Sequence, residues 1–190
     1  MGNKHQVLIV GGGSAGITTA AHLLRKNRKL DVGIVDPAQW HYYQPLWTLV
    51  GGGAAIREKT RRSQKSVIPK GATWIQQSVM SFDPENNSIT TGKGQTIGYD
   101  FLIVCPGIQI NWEHIPGLKD SLGKNGVCSN YSYDSVNSTW DNIRNLKSGV
   151  ALFTQPETPI KCGGAPQKIM YLAEHYFQKQ GVRNLSLIHI

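Results

Sequence analysis

Val7-Leu-Ile-Val-Gly-Gly-Gly-Ser-Ala-Gly16, closed by Asp36 after the apolar run Val32-Gly-Ile-Val35, decides the fold of this chain. Four β-prone residues lead into Gly11-Gly12-Gly13-Ser14-Ala15-Gly16, so Gly11, Gly13 and Gly16 satisfy G-x-G-x-x-G. A helical pattern follows at once. The first glycine permits a tight turn, the second lets backbone approach a pyrophosphate, and the third lets the helix pack close to the strand. Free N–H groups at the helix start face the phosphates. Asp36 lies about twenty residues past the loop, where a carboxylate accepts the ribose hydroxyls of an adenosine. The motif predicts a dinucleotide site and leaves FAD and nicotinamide cofactors equally open.

Working outward, the pattern predicts a strand at 6–10, a helix at 14–27 and a strand at 32–36, which is one βαβ unit. Ile17, Ala20, Ala21 and Leu24 give the helix one apolar face. Residues 37–70 read as a long structureless connection, a length that usually signals function. Residues 74–82, 88–91 and 95–97 read as antiparallel strands joined by Asn/Gly turns. Asp100–Cys105 reads as a buried parallel strand stopped by Pro106-Gly107. A helix is expected over 134–147 with Val136, Trp140, Ile143 and Leu146 on one stripe. Strand 150–154, a loop to Pro166, a helix carrying Ile169, Leu172, Ala173, Tyr176 and Phe177, and a strand from Leu185 make a second βαβ unit. The fold class expected is α/β, a doubly wound Rossmann-like fold with inserted antiparallel strands and the start of a second dinucleotide-type domain. The expected division is 1–148, with 37–99 inserted, and 149–190.

The 190 residues include 21 glycines and are 39% hydrophobic, which suits an α/β protein rich in turns. No apolar run approaches about twenty residues, so no membrane span is expected. Met1-Gly-Asn-Lys-His-Gln6 leads straight into the first strand, so no signal or transit peptide is expected in this chain. The net charge of +8 is densest at Arg57–Lys65, read as a solvated loop rather than an anion site. No aromatic ladder accompanies the charge, so nucleic acid is not an expected partner. Cys105, Cys128 and Cys162 are widely spaced and lack a C-x-x-C pair, so no metal site is expected.

Cys162 stands out chemically. Lys161-Cys162-Gly163-Gly164-Ala165-Pro166 falls in the strand-to-helix loop of the second unit, where phosphate glycines would otherwise sit. Proline suits a first helical turn. A thiol just before a helix start and beside a lysine is expected to have a lowered pKa. A packed structural cysteine is the competing reading, and the flanking glycines bring the two level. Cys105 ends an apolar strand and reads as a small hydrophobe. In His41-Tyr-Tyr-Gln-Pro-Leu-Trp47, an aromatic satellite core and flavin contact are equally good readings.

Several segments together resemble the mitochondrial-type sulfide:quinone oxidoreductases, flavoproteins with two dinucleotide-binding domains. They are Val10–Ile17, His41–Val50, Ser66–Pro69, Gly107–Gln109, Ser129–Ser132 and Pro159–Leu172. The stretches Tyr43-Gln-Pro-Leu-Trp-Thr48 and Lys161-Cys-Gly-Gly-Ala-Pro-Gln-Lys168 are the more specific. The resemblance implies two-electron oxidation of hydrogen sulfide to a cysteine-bound persulfide, with electrons passing through FAD to ubiquinone. It makes Cys162 the first of two redox cysteines. It places Gly11, Gly12, Gly13, Ser14, Ala15, Gly16 and Asp36 at the FAD, with Gly107 touching the cofactor and Gln44 and Trp47 near the flavin. At 105–106 this chain has Cys-Pro where the family more usually has a small residue, then Thr or Leu. A small sulfur acceptor such as glutathione or sulfite, peripheral membrane association, and a mitochondrial inner-membrane, matrix-side location are also implied. Family members run to about twice this length, so the chain is expected to be the N-terminal part, with the second redox cysteine and quinone site beyond residue 190. The alternatives are an FAD-dependent NADH:quinone dehydrogenase, disfavoured by the lack of a second G-x-G-x-x-G, and a silent flavin-binding fragment.

Overall fold

The computed structural model describes residues 4–155 and 160–189. The expected loop at 156–159 and the last residue of the expected final strand lie outside them. In chain order the elements begin with strand β1 (Lys4–Val10), helix α1 (Ser14–Lys26), strands β2 (Val32–Val35) and β3 (Trp40–Tyr42), and helix α2 (Trp47–Gly51). Strand β4 (Arg61–Ser63), helix α3 (Gln64–Val67) and strands β5 (Ala72–Ile75), β6 (Val79–Asp83), β7 (Ser88–Thr91) and β8 (Thr96–Val104) come next. Helices α4 (Leu118–Ser121) and α5 (Val136–Asn145), strand β9 (Gly149–Leu152), helix α6 (Ala165–Lys179) and strand β10 (Ser186–His189) complete the order. The chain divides into two compact units, 1–42 with 61–108 and 43–60 with 109–190.

The first unit is built on a six-stranded sheet in the order β5-β2-β1-β8-β7-β6. Strands β5, β2, β1 and β8 run parallel, while β7 and β6 add antiparallel pairs. Alternation along β1 sends Val7 and Ile9 to one face, where they pack with Ala20 and Leu24 of α1 and with Val32 and Ile34. Leu8 goes to the other face, with Val35, Ile89, Ile97 and Tyr99. Both faces of the central strand are therefore dry, as the unbroken apolar runs of β1 and β2 require. The basic residues Arg25 and Lys26 sit in the last turn of α1, where they complement the helix dipole.

Three expectations change here. Residues 74–82 are not one antiparallel strand. Ala72–Ile75 pairs in parallel with β2, and the Gln77 N–H donates to the Ile75 carbonyl (2.9 Å), a three-residue turn that ends the strand before β6 begins. The expected strands at 95–97 and 100–105 are not separate: residues 96–104 form the continuous β8, which meets β7 antiparallel and β1 parallel. Its apolar run is also less buried than read: Phe101 is 70% exposed and Val104 52%. Finally, the connection at 37–70 is not structureless. It folds into β3, α2, β4 and α3, with β3 and β4 paired antiparallel from Trp40↔Ser63 to Tyr42↔Arg61.

In the second unit, β9 and β10 pair in parallel from Gly149↔Ser186 to Leu152↔His189, joined through α6. This is the expected second βαβ unit. Ile169, Ala173 and Phe177 of α6 pack with Ile143 of α5, flanked by Ala151, Phe153 and Ile188. The rings of Trp140 and Tyr176 meet edge to face at 4.8 Å. Helix α5, expected in the first domain, thus packs inside this unit. The glycine run 51–53 explains how α2 joins them. A Cβ on Gly52 would lie 2.6 Å from Leu172 Cδ1, and one on Gly53 2.7 Å from the Trp140 ring. Only glycine permits that approach. Among the described residues no helix is long and apolar enough to cross a membrane.

Candidate functional site

The first site is the β1–α1 loop, and its three motif glycines play three different steric roles. Gly11 has φ +103°, and a Cβ there would lie 2.0 Å from the Cys105 carbonyl oxygen. A Cβ on Gly16 would lie 1.9 Å from the Gly11 carbonyl oxygen. At Gly13 a Cβ would meet nothing within 4 Å. Two glycines therefore close the turn against protein, and the middle one borders open space. Helix α1 starts at Ser14 with no side-chain cap and no acidic residue in its first turn. Its orphan N–H groups and positive end stay available for an anion. That open cradle beside Gly13, with Ser14 and Ala15 exposed at the helix start, fits a pyrophosphate.

Asp36 follows β2 as expected. Its Oδ2 accepts the Gly12 N–H, and its Oδ1 accepts the Ala38 N–H at 2.7 Å. Its backbone carbonyl takes the Trp74 indole N–H at 3.0 Å. A carboxylate offers about four lone-pair sites, so two such bonds fix its orientation and leave capacity for ribose hydroxyls. Gly107 has φ +76°, and a Cβ on it would meet nothing within 4 Å. Cys105, two residues earlier, closes the floor of the loop with its carbonyl. Gln64 was not singled out by the sequence. Its side chain is 1% exposed, and its Nε2 donates to the Gly12 carbonyl at 2.7 Å. A lone glutamine in a basic run carries no sequence signal, because its partner is 52 residues away.

The second site surrounds Cys162. This half-buried thiol stands just before α6, and its carbonyl accepts the Ala165 N–H at 3.1 Å. Pro166 occupies the first turn of α6, as expected. The thiol lies below its usual pKa range chiefly because of the Gly164 N–H. Partial burial pulls the other way, and the Lys168 ammonium adds a further lowering. The Lys168 Nζ lies 3.5 Å from the Cys162 sulfur. The lysine beside the sulfur is thus the one six residues on, a helical turn into α6. Lys161, the sequence neighbour, instead donates to Gln44 Oε1 at 2.9 Å. Its own pKa is lowered by partial desolvation, against the charge of Cys162. Tyr131 keeps its phenolic proton more firmly than usual, through burial and then through the thiolate.

Gln44 therefore belongs with the thiol loop. Trp47 is buried at 6% exposure, its indole N–H donating to Thr60 Oγ1 at 3.1 Å. All three cysteines are free thiols. Among the described residues no cluster of His, Cys, Asp or Glu could hold a metal ion.

Residues 5–151 match the family model described as pyridine nucleotide-disulphide oxidoreductase. The chain belongs to that family. The expected FAD cofactor and oxidoreductase class both stand with it. Among curated proteins, the mitochondrial sulfide:quinone oxidoreductase of Dictyostelium discoideum is 50% identical over 184 residues, covering 96% of this chain and 41% of that protein. The resemblance read from the sequence is borne out at that level. Two solved structures show the same fold. A chain in the cryo-EM structure of the Tetrahymena thermophila mitochondrial ATP synthase superposes with TM-score 0.80 at 18% identity, over 98% of this chain and 47% of that one. The sulfide:quinone oxidoreductase of Aquifex aeolicus superposes with TM-score 0.74 at 21% identity, over 97% of this chain and 42% of that one. The chain thus spans less than half the length of each of these three proteins.

Proposed function

We propose that this chain carries the FAD cradle and the first redox cysteine of a sulfide:quinone oxidoreductase. The observation that carries the reading is Cys162, a thiol held toward its anionic form by the Gly164 N–H and the Lys168 ammonium. A second is the preformed loop at 11–16 with Asp36 behind it. In this reading, Gly11, Gly12, Gly13, Ser14, Ala15, Gly16 and Asp36 hold the dinucleotide, and Gly107 lies at the same cofactor. Gln44 acts at the thiol loop. Residues 1–148 serve the FAD, and 149–190 open the second dinucleotide-type domain.

The chemistry is a disulfide exchange followed by electron transfer. Hydrosulfide anion adds to one sulfur of a disulfide formed by Cys162 and a second cysteine. One S–S bond forms as the other breaks, leaving a persulfide on one cysteine and a thiolate on its partner. FAD, when bound, supplies the two-electron acceptor, and ubiquinone takes the pair onward. A small thiol or sulfite receives the outer sulfur. The Lys168 ammonium stabilises the thiolate that leaves, and a hydrosulfide already anionic near neutral pH needs no general base. The protein acts at the matrix side of the mitochondrial inner membrane, where its net positive charge suits an anionic surface.

The test is flavin bleaching. A protein that carries this chain together with the second cysteine, loaded with FAD, is expected to lose its visible flavin absorbance on addition of sulfide under anaerobic conditions. Cys162→Ser is expected to bind FAD normally and resist bleaching. Undiminished bleaching in Cys162→Ser overturns the role of this thiol, and reduction by NADH but not sulfide moves the chain to the NADH:quinone dehydrogenase reading.

A further inference from the structure

We infer that Gln64 is a positioning residue of the dinucleotide site, aiming the Gly13 N–H at an anionic diphosphate it does not itself touch. The inference rests on the dinucleotide reading of the β1–α1 loop and deepens it.

The N–H of Gly12 is taken by Asp36 Oδ2 and the carbonyl of Gly12 by Gln64 Nε2. Both polar groups of this one residue are therefore held by side chains from elsewhere in the unit, and Gly12 itself is buried. In a trans peptide the carbonyl and the following N–H point in opposite directions. Fixing the Gly12 carbonyl inward on a fully buried amide thus turns the Gly13 N–H outward. Gly13 is exposed there, and the space its Cβ would fill is open.

Gln64 is itself well fixed. Its backbone N–H donates to the Gln39 carbonyl at 2.9 Å, and its side chain is 1% exposed. The amide nitrogen fills the space that a side chain at position 12 would need, lying 2.3 Å from a Cβ built there. Without this donor the Gly12 carbonyl would be a buried acceptor with no partner, and the peptide would rotate to find water. The Gly13 N–H would turn with it.

The consequence is selective. Adenosine hydroxyls go to Asp36, whereas the diphosphate depends on the Gly13 N–H. The experiment is a set of binding titrations on the 190-residue chain with FAD, ADP and adenosine. Gln64→Met keeps the length of the side chain without its donor, and Gln64→Leu removes the donor with a shorter apolar chain. Both variants are expected to bind FAD and ADP about tenfold more weakly, with adenosine affinity unchanged and a melting temperature only modestly below the parent's. ADP binding at parental strength in either variant overturns the inference, and so does an equal fall for ADP and adenosine, which marks a merely structural residue. Should Gln64→Met fail to fold, the Gln64→Leu titration decides alone. If the parent chain takes up no FAD, the dinucleotide reading fails first and this inference with it.

Discussion

The loops at 11–16 and 162–166 sit at equivalent points of two βαβ units, between a parallel strand and its crossover helix, yet their glycines answer to different demands. In the first loop, side chains at Gly11 and Gly16 would collide with backbone oxygens at 2.0 and 1.9 Å. In the second, a Cβ on Gly163 would meet nothing within 4 Å, and one on Gly164 would make only ordinary contact with Lys168 Cε at 3.5 Å. Glycine in one loop is forced by packing. In the other, packing does not ask for it. The first loop offers a ligand backbone N–H groups; the second offers a sulfur and the amide and ammonium that hold its charge. In the proposed function, one architecture serves recognition in one copy and reactivity in the other.

The sharpest way to break this contrast is to put alanine in both loops. Gly11→Ala and Gly16→Ala are expected to cost about 3 kcal/mol or more each, since the clash is with backbone and Gly11 also has positive φ. Gly163→Ala is expected to stay within about 0.5 kcal/mol. Chemical denaturation of the three variants checks this, and equal losses in both loops would erase the distinction.

A smaller effect concerns the thiol. Because Cys162 titrates below its usual range, its thiolate persists to lower pH than an ordinary cysteine's, and alkylation by iodoacetamide should stay fast there. Lys168→Met removes one of the stabilising groups, so the midpoint of the alkylation–pH curve should move upward. Lys161→Met should move it less, because that ammonium is turned to Gln44. A larger upward move in Lys161→Met than in Lys168→Met would reverse the assignment. The smallest expected change belongs to Gln44→Leu. It frees Lys161 to approach the sulfur, and the midpoint should drift slightly downward.

Much of the fold was legible because it is written in local periodicity. The β1–α1–β2 unit shows four apolar residues, a glycine loop and an amphipathic helix in register, and its predicted bounds lie within two residues of those found. The second βαβ unit was read the same way. What escaped depends on partners distant in sequence. Strand β5 has only four residues, and its parallel pairing is with a strand some forty residues earlier. The segment 37–70 has elements too short to show a period, and its ordering comes from bonds such as Gln64 to Gly12. At the thiol site the sequence supplied Cys162 and a lysine. Chain adjacency suggested Lys161, but a helix brings position 168 back over position 162, and that geometry is invisible until α6 starts where it does.

The passage of the chain between its two compact units has a consequence for synthesis. Residues 43–60 belong with 109–190, while 61–108 return to the first unit. The glycines at 51 and 52 rest on Thr139, Ile169 and Leu172, which follow them by roughly ninety to 120 residues. At about 5–20 residues per second the ribosome needs on the order of ten seconds to deliver those partners. The 43–60 segment, Trp47 included, is therefore made early and must wait unburied while the first sheet is completed around the gap it leaves. During vectorial synthesis it keeps those contacts unmade until α6 has cleared the exit tunnel.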